Sequence, residues 1–430
     1  MSALAPDDMR RGWCPGTLRP MQTGDGWLVR LHPPRGALSP AQLGLIGELA
    51  DRHGNGQIEI SGRGNLQLRG VREETHPVLV EELFAAGLVD EAQGDGPHRL
   101  TLTSPLAGRE ASELLDAAAL AERVEREGRG VAGLPAKFGV VVDGGGALAL
   151  DAFAADLRLR AISPDQVAIG LPGGLWFGPV APQAAPGVAA TLLASFVVTA
   201  GERPGQIRRM RDLGPAELAR LATSCRLEPM PAPAIRPEPE PVGVAAERSG
   251  RFAVLTGLPF GRSDAQMLGR LAALALRFAV DEIRLSPWRG LGFCGLSKPA
   301  AEALAAALAS EGLVLSPRDP RLLVSACAGA PACERAAAPT LADAASLAQV
   351  LAPLLANGLT LHVSGCAKSC ARPGAADLTL LGGEAGYDVI LAGGTRDGPI
   401  AHLTLAELVR RLEPGQDIRA RLDAAPHHRE

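Results

Sequence analysis

Residues 325–336 read "SACAGAPACERA" and residues 362–373 read "HVSGCAKSCARP". The first stretch carries Cys327 and Cys333, the second Cys366 and Cys370, so four of the chain's seven cysteines fall in two short loops. Five residues separate the first pair and three the second. Each loop follows an apolar, β-prone run: residues 322–325 before the first and the segment "LTLHV" before the second, so both are predicted as strand exits.

Four thiolates in this pattern have three uses. A disulfide framework needs an oxidising compartment, and an odd cysteine count in a chain whose start carries acids and arginines instead of an apolar signal core argues against one. A structural zinc knuckle spaces its ligands by about two to four residues, so five is awkward. An iron–sulfur cube is larger and accepts uneven spacing. Ala328, Gly329, Ala330 and Ala332 in the first loop, and Gly365, Ala367 and Ser369 in the second, are small enough to let backbone N–H groups approach sulfides. The expected ligand set is therefore a [4Fe–4S] cluster on Cys327, Cys333, Cys366 and Cys370. Cys14, Cys225 and Cys294 are expected to be ordinary buried thiols.

Outward from these loops, the 430 residues allow two or three domains, and 47% hydrophobic with 21% charged residues is ordinary for a soluble globular protein. A net charge of −4 gives no reason to expect nucleic acid or an anionic membrane as partner. The apolar run at residues 188–200 is shorter than the ~20 residues of a membrane span and is predicted as a buried helix. A cytoplasmic location is expected. The tail histidines His427 and His428 are expected to be disordered.

Residues 228–247 carry proline at nearly every second position, which predicts an extended linker without helix or regular strand. The segments on either side begin alike. "IEISGRGNLQLRG" aligns without gaps on "IRLSPWRGLGFCG", each after a helical period: Leu43, Ile46, Leu49 and Ala50 in one case, Leu268, Leu271, Leu274 and Ala275 in the other. An internal duplication about a pseudo-two-fold axis is expected. Residues 134–150 are predicted as two strands joined by Gly144, Gly145 and Gly146, and residues 340–358 as one amphipathic helix.

The cysteine pattern on a duplicated αβ framework resembles the sirohaem-dependent sulfite and nitrite reductases over nearly the whole chain. "SPLAG" (residues 104–108), "LPAKF" (134–138) and "GRGNLQLRG" (62–70) look like three of that family's short motifs. Within the superfamily, "RGWCPGTLRPMQTGDGWLVRL" (residues 11–31) and "SGRGNLQLRGV" are similar to the precorrin-3B synthases of aerobic cobalamin biosynthesis. Two departures from the reductases agree with this: Gly64 follows Arg63 where they place Gln, and Gly139 stands where they carry a second lysine after the one matching Lys137. The resemblance implies an α+β fold of two ferredoxin-like halves (residues 1–80 and 248–315) and two reductase-type α/β domains (90–227, and 316–430 with the cluster).

It further implies an oxidoreductase of monooxygenase type: O2-dependent hydroxylation of precorrin-3A to precorrin-3B, with lactone formation. The electrons would come from a ferredoxin or an NADH-linked reductase, and a mononuclear non-haem iron would accompany the cluster. Under the alternative, a sulfite or nitrite reductase, the chain would hold sirohaem. A tetrapyrrole with many carboxylates needs fixed positive charge. The candidates are Arg63 and Arg69, with Asn65 and Gln67 as neutral donors, all four on one face of a strand if alternation holds, with Leu66 and Leu68 opposite. The same pattern also suits a plain solvated face. Lys137 is a candidate for the carboxylates or the oxygen species, or a surface lysine on an edge strand. Arg289 and Arg208, Arg209 and Arg211 are further arginines to place; arginines mostly sit in water. His362 is either an iron ligand or a packed histidine.

Overall fold

The computed structural model describes residues 14–89 and 96–412; His427 and His428 lie outside this range. The chain forms four five-stranded sheets with helices on their faces, an α+β arrangement. Two sheets come from the repeated segments. The first runs Met21–Thr23, Gly26–Leu31, Leu66–Val71, Gln57–Ile60, Arg262–Asp264. The second runs Gly243–Ala246, Phe252–Gly257, Gly290–Leu296, Glu282–Ser286, Ala37–Leu38.

The last strand of each sheet is donated by the other repeat. Two or three residues carry no readable alternation, so the sequence does not announce the exchange. It follows the turns Pro34–Gly36 and Pro259–Gly261, where Arg35 (φ 58°) and Phe260 (φ 56°) both occupy the left-handed region. Side chains with a β-carbon adopt that conformation rarely, so the same departure at matching positions is a structural mark of the duplication.

Helices Pro40–His53 and Ala265–Arg277 begin at the capping side chains of Ser39 and Asp264 and pack on each other. A β-carbon at Gly47 would lie 2.8 Å from the Ala265 carbonyl oxygen, so glycine is what permits the close approach. Leu43, Ile46, Leu49, Ala50, Leu268, Leu271 and Ala275 enter the shared core, while Leu274 is only partly buried.

The other two sheets share one topology. One joins Thr101–Leu102, Val140–Asp143, Leu157–Ser163, Gln166–Leu171 and Leu175–Val180; the other joins Val324–Ala326, Leu361–Ser364, Ala376–Gly383, Gly386–Gly393 and Ala401–Leu403. In both, the first two pairings are parallel and the last two antiparallel. The cysteine loops therefore correspond in position to the loops after Leu102 and Asp143. There carboxylates do the stitching. Glu113 accepts the Gly108 N–H at 2.8 Å, Glu110 accepts the N–H groups of Ala147 and Leu148, and Asp143 accepts those of Gly145 (2.9 Å) and Leu150 (3.0 Å).

Four local expectations change. Residues 134–150 hold one strand, Val140–Asp143, because the N–H groups after the glycines go to carboxylates instead of a neighbouring strand. A 3-10 turn, Pro320–Leu323, takes the first half of the strand expected over 322–325, and the observed strand starts only at Val324. The helix expected over 340–358 is two, Thr340–Val350 and Ala352–Ala356, since Pro353 has no N–H to continue the ladder. The linker ends in the edge strand Gly243–Ala246, a proline-free piece; its start is fastened by the Met230 N–H on the Trp176 carbonyl and its middle by Arg236 on Asp143. Helix Ala185–Glu202 is long and apolar enough to cross a membrane; here Leu192, Leu193 and Phe196 are fully buried while Val198 is 66% exposed, so one side packs in a core.

Candidate functional site

The two cysteine loops leave adjacent parallel strands, Val324–Ala326 and Leu361–Ser364, paired Ala326 to Val363. That pairing brings residues about forty apart in sequence to one sheet end. The Gly365 N–H donates to Cys327 Sγ at 3.2 Å, and the Thr340 hydroxyl lies 3.5 Å from the same sulfur. The Lys368 N–H points at Cys366. The expected close backbone approach is thus present, and it depends on glycine: a β-carbon at Gly365 would meet Ala336 Cβ at 2.5 Å, and one at Gly329 would meet Thr340 Oγ1 at 2.5 Å.

The two thiols of the second loop lie within electrostatic reach of those of the first. Desolvation raises the Cys366 pKa, and Cys333 and Cys327 add to the rise. Cys370 reaches the surface, yet loss of water around its sulfur pushes its thiol to about 11 against the pull of Lys368, with Cys366, Cys327 and Cys333 adding to it. Among the described residues no three His, Cys, Asp or Glu side chains converge tightly enough for a single metal ion. Four thiols in electrostatic reach of one another, with no three of them set for a single ion, are a donor set compatible with a polynuclear cluster. The same finding leaves the expected mononuclear iron without an assembled ligand set among these residues. His362 is fully buried with neither ring nitrogen hydrogen-bonded, and burial, then Arg372 and Arg289, push its pKa down to about 4. Cys294 is fully buried, whereas Cys14 and Cys225 are half-buried.

Beside the loops, the helix-free face of the first sheet carries a row across four strands: Arg30 opposite Gln67, Gln67 opposite Glu59, Glu59 opposite Arg262. Gln67 Oε1 accepts two N–H groups of Arg30 (3.0 and 2.7 Å), and Arg262 pairs with Glu59 at 3.0 Å. Arg69, one strand position beyond, chelates Asp25 (3.0 and 2.8 Å) and donates to Ala332 O at 2.7 Å. The second sheet's matching row is Leu255, Gly292, Arg284 and Ala37, and Pro105 of the 104–108 turn covers it. The duplication is therefore broken in this row, polar in the first sheet and largely apolar in the second.

The four residues expected on one strand face separate. Gly64, with φ 64°, closes a turn that holds Arg63, so regular pairing begins only at Leu66. Gln67 and Arg69 are on the buried polar face with Leu66 and Leu68 in the core opposite; their side chains are already engaged by protein partners. Arg63 leans instead on Gly139, where a β-carbon would sit 2.0 Å from Arg63 Nη2. Asp156, 1% exposed, organises that corner: it accepts the N–H groups of Gly139 (2.9 Å) and Met210 (3.0 Å) and chelates Arg209. Lys137 is exposed on a turn closed by the Phe138 N–H on the Pro135 carbonyl, not on an edge strand.

Comparison with known proteins follows the same lines. The model of the nitrite/sulfite reductase ferredoxin-like half domain matches residues 19–86 and 245–311. A precorrin-3B synthase of Sinorhizobium sp is 34% identical over 95% of this chain and 90% of that protein. The chain belongs to the precorrin-3B synthase family. More distant relatives are a ferredoxin-type sulfite reductase of Mycobacterium tuberculosis, 29% identical over 83% of this chain and 70% of that protein, and a ferredoxin–nitrite reductase of Synechococcus elongatus, 28% identical over 93% and 86%. The solved structure of Mycobacterium tuberculosis NirA superposes with a TM-score of 0.69 at 24% identity, covering 94% of this chain and 82% of that one, which shows a shared fold. This member of the precorrin-3B synthase family is thus of an oxidoreductase superfamily built on duplicated ferredoxin-like halves.

Sequence reasoning missed Arg30 and Arg99, and it named Arg209 only among further arginines to place. Burial lowers the pKa of Arg30, Arg63 and Arg99; Arg209 and Arg30 act on Arg63 in the same direction, as Arg63 does on Arg99. The nearest legible signal was the arginine in "GWLVRL", next to the aligned repeat. A cavity of about 660 Å3 opens beside Arg99, lined also by Arg35, Arg126, Arg129 and Arg284 against Glu122 and Glu125. Arg208 and Arg211 are exposed, as arginines usually are.

Proposed function

We propose that this chain hydroxylates a polycarboxylate tetrapyrrole, precorrin-3A, to precorrin-3B with lactone closure, using O2 and an external one-electron donor such as a ferredoxin or an NADH-linked reductase. The observation that carries this reading is a group of arginines, Arg30, Arg63 and Arg99, whose charged heads are largely out of water, on and beside the sheet whose Arg69 reaches the first cysteine loop. Cys327, Cys333, Cys366 and Cys370 would hold the [4Fe–4S] cluster, which supplies electrons one at a time when bound. Insertion of one oxygen atom takes two electrons and two protons, and the second oxygen atom leaves as water.

The chain's own part is binding and orientation. Arg30, Arg63 and Arg99 remain charged at neutral pH, and loss of water around their heads lowers their pKa, leaving positive charge that the solvent no longer balances. Substrate carboxylates relieve that imbalance through bidentate contacts, and the arginine-lined cavity beside Arg99 offers further positive charge. Asn65 and the exposed Lys137 complete the rim. Gln67 and Arg69 act from behind it, holding Arg30 and the first cysteine loop.

The test is anaerobic purification with iron and sulfide counts, then addition of precorrin-3A with a reductant under labelled O2. The expected result is a broad brown absorbance and a product one labelled oxygen atom heavier. Intense isobacteriochlorin bands with sulfite or nitrite reduction would replace this reading with the reductase alternative.

A further inference from the structure

Each half of the duplicated framework sends one guanidinium to one cysteine loop. Arg69 Nη2 donates at 2.7 Å to the carbonyl of Ala332, the residue before Cys333. Arg289 Nη2 donates at 2.7 Å to the carbonyl of Ala371, the residue after Cys370. The backbone of Arg289 is itself committed to this contact: its φ of 60° is the left-handed conformation that Gly64, with φ 64°, supplies at the matching turn of the first repeat. Glycine adopts that conformation freely and arginine only at a cost. Gly261 beneath it accommodates the side chain, since a β-carbon there would meet Arg289 Cβ at 3.0 Å.

The two ties differ in charge. Arg69 is chelated by Asp25, so the loop faces a neutral pair. Arg289 forms no ion pair among the described residues; Glu59 acts on it from a distance and is taken by Arg262 at 3.0 Å. We propose that Arg69 and Arg289 are positioning residues that lock the two cysteine loops at the separation one cluster needs, and that Arg289, whose charge no carboxylate cancels, also raises that cluster's reduction potential. This rests on the [4Fe–4S] reading above. Reduction adds negative charge, so a nearby fixed positive charge favours the reduced form, and surroundings of this kind tune such potentials.

The experiment uses the full chain, purified anaerobically, with iron and sulfide counts, an EPR-monitored redox titration and the rate of bleaching by an iron chelator. Arg289→Met is expected to lower the one-electron reduction constant about tenfold, a 59 mV negative shift, and Arg289→Lys to restore the potential while bleaching faster than wild type. Arg69→Met combined with Asp25→Asn, which removes the tie and keeps the site neutral, is expected to bleach faster at an unchanged potential. Arg289→Gln, a second neutral variant that keeps an N–H donor for the Ala371 carbonyl, is expected to show the same negative shift, and it reads the charge effect even if Arg289→Met fails to load. Unshifted potentials in both Arg289→Met and Arg289→Gln, or wild-type bleaching rates in the arginine variants, overturn this inference alone. A wild-type chain without iron and sulfide overturns the cluster reading along with it.

Discussion

Arg63 lies against the α-carbon of Gly139, so closely that a β-carbon there would be 2.0 Å from Nη2. Any side chain at position 139 and the present pose of Arg63 exclude each other. This gives a physical sense to the glycine that stands where reductases resembling this chain have a lysine.

Gly139→Lys should therefore displace Arg63 and set two cations in competition. Since the blocking atom is the free end of a flexible side chain, the fold should survive with a melting temperature within a few degrees of wild type. Tetrapyrrole affinity, measured by absorbance or fluorescence titration, should fall about tenfold, or about 1.4 kcal/mol. Tighter binding would mean that Arg63 does not face the substrate.

Asp156 joins Gly139, Met210 and Arg209, and is 1% exposed. Removing one partner of a buried ion pair costs about 3–5 kcal/mol, so Asp156→Asn, which keeps one acceptor, should lose about 3 kcal/mol in a urea melt. Arg209→Met should lose less, because Asp156 keeps its two N–H donors. Equal losses would show that the ion pair, not the backbone stitching, dominates.

The thiol of Cys370 is pushed up to about 11 and that of Cys366 is also raised, so both are protonated at neutral pH before metal binds. Ligation needs thiolate and releases those protons. Anaerobic cluster reconstitution should therefore become more favourable from pH 7 to pH 9. Cys370→Ser should abolish loading without unfolding the sheet beneath, whose Leu361, Val363, Leu378 and Leu380 are fully buried. Loading that is flat with pH would contradict the protonated-thiol state.

Glu113, under the loop that starts at Gly144, has its pKa raised by burial to about 8. The folded state then binds a proton that the unfolded chain, with an ordinary carboxyl near 4.5, releases at lower pH. Between those values the folded state holds more protons, so stability falls as pH rises from about 4.5 to 8. Glu113→Gln keeps an acceptor for the Gly108 N–H and stays neutral. Its melting temperature relative to wild type should climb across that window, and a constant difference would refute the shift.

Cysteine spacing, helix faces and the repeat were legible in the sequence because each is a local regularity. Leu43, Ile46, Leu49 and Ala50 share a face by helical period alone, and the two thiol pairs announce themselves by small neighbours. Arg63 was singled out by its motif, although the left-handed Gly64 removed it from the strand on which alternation had put it.

What only the tertiary structure decided is what each face meets. The alternation at Gln67 and Arg69 reads the same for a solvated surface as for a buried one; Arg30, Asp25 and Ala332, brought in from other segments, settle it. The short exchanged strands Ala37–Leu38 and Arg262–Asp264 are chosen by the edges they complete, not by any pattern of their own. Whether paired loops hold thiols or are sewn by Glu110, Glu113 and Asp143 likewise depends on partners distant in sequence. Periodicity reports the direction in which a side chain points, and the free energy of a charge depends on the groups that surround it there.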